Sequence, residues 1–338
     1  MKVARLEAIE DLRVREVEEP SAPPGDVVVR VEACGICGTD RHIFHGDYPA
    51  VLPLTLGHEF AGTVAAVGEG CAVVPGAKVT VDPNISCGVC AECRRGEPCL
   101  CPRRVALGVD LDGGLAEYVV TPERQVYVLP EGMPTSLGAL CEPLACCLRG
   151  LDHAAIAPGM RVVIFGGGVI GQIMVQLAAL AGAIAVVLVT RQAERRVLAQ
   201  RLGATAGYDP RAGEVIVGLT GPGGLVPGGA DVVLECAGVV ETFEQSLATA
   251  RRGGTVVVIG VPPPDAVAAV RPYDLFAREL RVIGSYLNPL THGRAVELAA
   301  SGRLDLASLI TSEHELDQLP ALLAAPPRAG QVKELIIP

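Results

Sequence analysis

The sequence of 338 residues has no tryptophan and only 3% aromatic residues. Its interior must therefore be built from Val, Leu, Ile and Ala, a choice that suits strands buried on both faces of a parallel sheet. Positive charge is not in excess: 28 Lys and Arg face 38 Asp and Glu, for a formal net charge of -10. The basic face that nucleic-acid phosphates require is therefore excluded. No apolar run of membrane length is present, because Gly, Arg and Gln interrupt residues 161–191. The opening Met1-Lys2-Val3-Ala4-Arg5-Leu6 places charge where a secretion signal needs an apolar core. What the chain does have is Gly (40), Pro (26) and Cys (12), with half of its residues hydrophobic. Twelve cysteines without an export signal point to reduced thiols and metal rather than disulfides. A cytoplasmic protein with no membrane or nucleic-acid partner is expected, large enough for two domains.

The chain changes character near residue 150. Before it, short β-like runs such as Asp26 to Val31 and Lys78 to Val81 lie between Pro, Gly and Asp turns, without long amphipathic helices. From Arg161 strand and helix alternate: Arg161 to Phe165, a helix from Val169, Ala185 to Val189, a helix from Ala193. Apolar runs at Asp231 to Glu235, Thr255 to Ile259 and Arg281 to Ile283 continue the alternation, which predicts a doubly wound parallel sheet and an α/β fold. The last stretch, from Thr291, predicts two helices and a strand over Val332 to Ile337. Periodicity does not say to which half that tail belongs.

Cys87-x2-Cys90-x2-Cys93-x7-Cys101 is the most specific signal. Four thiolates from one short loop can close a tetrahedral shell around zinc and leave no place for a substrate. Cys99, a fifth thiol, could stand in for Cys101. A thioredoxin-like redox motif would need a βαβ setting that this loop lacks.

A second, looser set is Cys37 and His58, with Glu59 or Glu142 completing or supporting the shell. A thiolate, an imidazole and a carboxylate leave zinc an open position for water or a substrate oxygen. Its weight comes from co-occurrence, since lone Cys and His residues are usually packing or surface residues.

Gly166-Gly167-Gly168-Val169-Ile170-Gly171 follows an apolar strand and opens a helix. Gly166 permits the turn, Gly168 lets backbone approach a pyrophosphate, and Gly171 allows helix and strand to pack closely, while the amides at Val169 and Ile170 face the phosphates. At the end of the next strand, where a carboxylate would grip the ribose of NAD, the chain reads Thr190-Arg191-Gln192. Thr190 does not repel a 2′-phosphate, and Arg191, with Arg195 or Arg196 one turn on, can pair with it. NADP is therefore expected over NAD.

Over essentially its whole length the chain resembles the zinc-dependent medium-chain dehydrogenases, in the polyol (sorbitol-like) and threonine dehydrogenase branch. The resemblance is carried by Cys37-Gly-Thr39-Asp40-x-His42, Gly57-His58-Glu59-Phe60-x-Gly62, the four-cysteine loop, Gly113-Gly-x-Ala-Glu117-Tyr118, Glu142-Pro143-Leu144 and the glycine fingerprint. It implies a GroES-like β-rich catalytic domain from residues 1–148 and 288–338, a Rossmann NAD(P)-binding domain from residues 149–287, and an active site in the cleft. It also implies two zinc ions per chain. The catalytic one would be held by Cys37, His58 and Glu59, with Glu142 close enough to bind it or its water, and the structural one by Cys87, Cys90, Cys93 and Cys101. Thr39 matches the hydroxyl that accepts the substrate proton and His42 the relay that passes it to solvent, while Asp40 would support them from behind. Such proteins are usually dimers or tetramers. Sorbitol-type members carry an arginine in the stretch that reads Ser285-Tyr286-Leu287-Asn288 here, which argues against sorbitol itself. Ile43, Phe44 and Tyr48 are expected to shape the pocket near zinc and to favour a shorter or less polar alcohol.

The function expected is interconversion of a secondary alcohol (polyol, sugar alcohol or cyclitol) with its ketone. A threonine-type or amino-alcohol dehydrogenase is the nearest alternative. A zinc-free quinone or enone reductase would dispense with Cys37, His58 and Glu59. A non-catalytic nucleotide-sensing protein would bind coenzyme without turning over any alcohol.

Overall fold

A computed structural model describes all 338 residues, as two compact units. One comprises Met1–Ala145 with Asn288–Pro338, the other Cys146–Leu287.

The first unit is built on a seven-stranded sheet. The strand Asp26–Gly35 lies at its centre, pairing antiparallel with Glu59–Val67, Tyr118–Pro122 and Lys333–Ile337. Val27, Val29 and Val31 share a core with Phe60, Val64, Val79 and Val81, in which valines outnumber aromatic rings. Register sets the neighbours of the candidate metal donors. Gly35 stands opposite Glu59 on one side and Leu335 on the other, so the tail strand lies one strand away from Glu59, across Gly35. A Cβ at position 35 would collide with the Glu59 carboxylate, which accounts for the glycine there. The tail's strand Ile310–Glu315 pairs parallel with Lys333–Ile337 and was not expected from the sequence. Its Ile-Thr-Ser-Glu-His-Glu run has hardly any apolar alternation, because it is the sheet's last strand and half of its side chains face solvent. Another departure is Cys141–Ala154, a fourteen-residue helix that begins inside the stretch read as free of long helices.

The second unit contains a six-stranded, wholly parallel sheet. In spatial order its strands are Ala206–Tyr208, Ala185–Val189, Arg161–Phe165, Ala230–Glu235, Ala250–Val258 and Arg281–Gly284. Strand order reverses between Arg161–Phe165 and Ala230–Glu235, which opens a crevice at their carboxyl ends where such sheets bind ligands. Val163, Phe165, Val187, Val189 and Val233 form the core on this sheet. The short strand Ala206–Tyr208 gave no sequence signal, being three residues long and only half buried. No helix is long and apolar enough to cross a membrane.

Candidate active site

In the first unit Cys37, His58 and Glu59 each offer one donor atom, and these atoms lie within 4.8 Å of one another. Cys37 caps the short helix Gly38–His45, while Glu59 opens the strand Glu59–Val67 and His58 immediately precedes it. Asp40, fully buried, ties the two segments together: it accepts the Cys37 amide at 2.7 Å and the Gly57 amide at 3.2 Å. Gly57 adopts φ 96°, and a Cβ there would meet Leu115 and Cys34, so the turn that delivers His58 needs a glycine.

The electrostatics are those of a cation site. Burial works to lower the His58 pKa, but the Cys37 sulfur and the Asp40 carboxylate outweigh it and raise the imidazole well above its ordinary value. His58 Nδ1 is buried without a hydrogen-bond partner, 3.6 Å from Asp40 Oδ1. A soft thiolate, an imidazole with an orphaned nitrogen and a carboxylate are a donor set that suits zinc.

Glu59 also has a partner that sequence reasoning missed. The ammonium of Lys333, 1% exposed, forms an ion pair with Glu59 Oε2 and donates to the Ile36 carbonyl at 3.0 Å. No motif announces it, since 274 residues separate the two. Glu142, buried in the first turn of Cys141–Ala154, lies outside the group of converging donors. Thr39 Oγ1 lies 3.8 Å from Cys37 Sγ. The His42 side chain is half exposed, its Nδ1 3.8 Å from the Asp47 carboxylate. Ile43 and Phe44 do not shape a pocket: both are buried in the core cluster, with Tyr48 packed against it. The expected bias toward a short, apolar alcohol loses its basis, because the helix Gly38–His45 turns those side chains inward.

The four-cysteine loop also converges. Cys87, Cys90, Cys93 and Cys101 bring their sulfurs within 4.8 Å of one another, and Cys99 stays outside the group. Hydrogen bonds from the Val89 and Cys90 backbone, with further help from Cys101, draw the Cys87 thiol down to about 6. Arg103 Nη2 adds a charged donor 3.1 Å from Cys87 Sγ. Four such sulfurs suit a closed zinc shell.

In the second unit a cavity of about 740 Å³ sits at the carboxyl ends of the parallel strands. Gly166, Gly167 and Gly168 form its floor, and a Cβ on Gly168 would meet no protein atom, leaving room for a bound phosphate. Gly171 is the packing glycine, since a Cβ there would strike the Gly166 carbonyl. Val169 and Ile170 begin the helix behind the floor and do not line the cavity, although their amides are among those a helix leaves unpaired at its start. Thr190, Arg191 and Arg195 line the rim. Arg196 does not: its Nη1 donates to the Thr190 carbonyl at 2.6 Å and pairs with Asp209 at 3.2 Å, because one helical step turns it to the other side. Arg211 lines the rim in its place and was missed. The far wall depends on Glu235, 1% exposed, whose carboxylate accepts from the amides of Ala237 (2.8 Å) and Gly238 (3.0 Å) and from Thr242 Oγ1 (2.8 Å). That bracing shapes the turn carrying Cys236 and Val239, both on the cavity wall. These residues suit a dinucleotide with its pyrophosphate over the glycines.

Comparison with known proteins identifies the family. Residues 23–131 match the alcohol dehydrogenase GroES-like domain and residues 169–301 the zinc-binding dehydrogenase domain. The fold and donor sets thus define an NAD(P)-dependent, zinc-dependent alcohol dehydrogenase. The chain belongs to the zinc-type medium-chain dehydrogenase family. A zinc-binding dehydrogenase from Sinorhizobium meliloti 1021, solved bound to NADP, is 50% identical, with a TM-score of 0.98 over 100% of this chain and 99% of that one. D-arabinitol dehydrogenase 1 of Uromyces fabae is 31% identical over 310 residues, 91% of this chain and 88% of that protein. D-altritol 5-dehydrogenase of Agrobacterium fabrum is 34% identical over 292 residues, 83% of each chain.

Proposed function

We propose that this enzyme interconverts a secondary alcohol of the polyol, sugar-alcohol or cyclitol class with its ketone, using NADP in preference to NAD. The observation that carries the reading is the convergence of Cys37, His58 and Glu59, three unlike donors that leave a metal's remaining position open. These three hold the catalytic zinc, with Glu142 nearby as a support, and the four-cysteine loop holds a structural one. Likeness to dehydrogenases named for arabinitol and altritol supports the polyol class. Arg191 and Arg195 at the cavity rim, and the absence of a carboxylate in Thr190-Arg191-Gln192, support NADP.

When bound, the metal polarises the substrate oxygen and the nicotinamide exchanges the hydride. Thr39 takes the hydroxyl proton during oxidation and returns it during reduction. His42, exposed enough to reach water and flanked by Asp47, carries that proton to and from solvent. Asp40 holds the loops of Cys37 and His58 at a fixed separation, and Lys333 orients the Glu59 carboxylate. Metal-ligating thiolates require a reducing setting, so a cytoplasmic location belongs to the same reading.

A homo-oligomer, dimer or tetramer, is also proposed. The edge strand Arg281–Gly284 exposes 40% of Val282, and Tyr273 and Phe276 of the preceding helix are 70% and 79% exposed, an apolar edge that pairing would cover.

The test is nicotinamide absorbance on a panel of tetritols, pentitols, hexitols, inositols, simple secondary alcohols and threonine, each with NAD and NADP. Turnover of a vicinal diol, faster with NADP, is expected. Turnover confined to threonine would replace the polyol reading, and silence across the panel from zinc-loaded protein would overturn it.

A further inference from the structure

Arg211 lies just beyond the short strand Ala206–Tyr208 and lines the dinucleotide cavity alongside Arg191 and Arg195. Its guanidinium is two-thirds exposed yet held in place. Asp209 accepts from Arg211 Nε at 3.0 Å and from Nη2 at 2.8 Å, and also takes the Arg211 backbone amide at 3.0 Å. The same Nη2 donates to the Arg191 carbonyl at 2.7 Å. Nη1 takes part in none of these bonds and is left to meet a ligand. Asp209 is anchored in turn by Arg196, which also holds the Thr190 carbonyl. A chain of Arg196, Asp209 and Arg211 thus fastens the loop after Ala206–Tyr208 to the loop after Ala185–Val189.

Neither carboxylate of these two loops, Asp209 or Glu214, lines the cavity, and Asp209 is occupied by two guanidinium groups, so it repels no anion there and grips no ribose hydroxyl. In addition, a guanidinium already fixed by a fork of hydrogen bonds loses little side-chain freedom when a ligand arrives.

We propose that Arg211 is a specificity-determining residue that binds the phosphate monoester on the adenosine ribose, and that Asp209 is the positioning residue that presets it. This rests on the NADP reading above and extends it, because the neighbouring Arg191 and Arg195 come from the preceding strand and helix whereas Arg211 closes the phosphate site from the next loop.

The experiment uses the full-length, zinc-loaded protein. Calorimetric titration of the wild type with adenosine 2′,5′-bisphosphate and adenosine 5′-monophosphate tests the underlying reading: tighter binding of the bisphosphate is expected, and equal binding would overturn NADP preference and this proposal together. NADPH and NADH are then titrated into Arg211→Ala by nicotinamide fluorescence. Loss of one charge-assisted contact is expected to weaken NADPH by about 10-fold and NADH by less than about 2-fold. Equal weakening of both, or of neither, overturns the role of Arg211 while leaving NADP preference standing. Asp209→Asn keeps Arg211 but loosens it, and is expected to weaken NADPH by about 3-fold with NADH unchanged. If NADPH binding is untouched in Asp209→Asn, or falls together with NADH, Asp209 does not preset the site. Should Arg211→Ala fold poorly, Arg211→Lys keeps the charge without the fork and is expected to bind NADPH between wild type and the expected loss, again with NADH unchanged.

Discussion

Lys333 and Glu59, side chains 1% and 2% exposed, form an ion pair in the middle of the first unit, beside the sulfur of Cys37. Burial works against the ammonium charge, but Glu59 and then Cys37 outweigh it and raise Lys333 above its ordinary value. The lysine therefore supplies a fixed positive charge behind the metal donors, on the side of Glu59 turned toward the tail strand.

Removing only one member of a buried pair leaves the other charge uncompensated, at a cost of about 3–5 kcal/mol. Lys333→Met is expected to be destabilising on that scale in metal-stripped protein and less so with zinc present, because the metal can then neutralise Glu59. A cycle with Glu59→Gln checks it by denaturant unfolding: the double variant should be more stable than the sum of the two single changes implies. Strict additivity would mean that the pair does not act as a unit.

Cys37→Ser is expected to abolish alcohol turnover while sparing coenzyme binding and folding, since Cys37 is the proposed metal donor at a helix start rather than a core residue. Metal analysis should find about one zinc per chain in place of about two. Retained turnover would show that the donor set is misassigned.

Cys90→Ser opens the four-sulfur shell and is expected to release the structural zinc while leaving the Cys37 site loaded. Proteolysis of the loop Cys87 to Cys101 should accelerate several-fold, on the order of the gain in local opening expected when a metal clip is lost. An unchanged digestion rate at that loop would show that the metal does not pin it.

His292 gives the acid limb of stability. It is fully buried, stacks on Tyr127 with ring centroids 4.8 Å apart, and burial lowers its pKa to about 3 from an ordinary value of 6.5. Between those values the unfolded chain binds a proton that the native protein does not, so stability rises with pH across this window and is lost on acidification. The contribution reaches about 1.4 kcal/mol per pH unit for one proton. His292→Gln is expected to flatten the pH dependence of unfolding between about pH 3 and 6.5 by up to that slope. An identical pH profile in the variant would remove His292 as the source.

Much of this protein was determined by its sequence alone, wherever the chemistry is local. Four cysteines within fifteen positions bring their sulfurs together because a tight loop holds them close, and glycines after an apolar strand leave room for a phosphate because a side chain would fill it. The strand and helix alternation after residue 161 was equally legible, since each element carries its own period. Tertiary structure decided what long-range pairing controls. The register of Lys333–Ile337 against Asp26–Gly35 puts a lysine next to Glu59, and no local pattern encodes a partner 274 residues away. The same holds for the rim of the dinucleotide cavity. Sequence spacing could not choose between Arg195 and Arg196 or find Arg211, because the helix turn that sends Arg196 to Asp209 and the parallel pairing that brings the Asp209 loop beside Thr190 exist only once the sheet has formed.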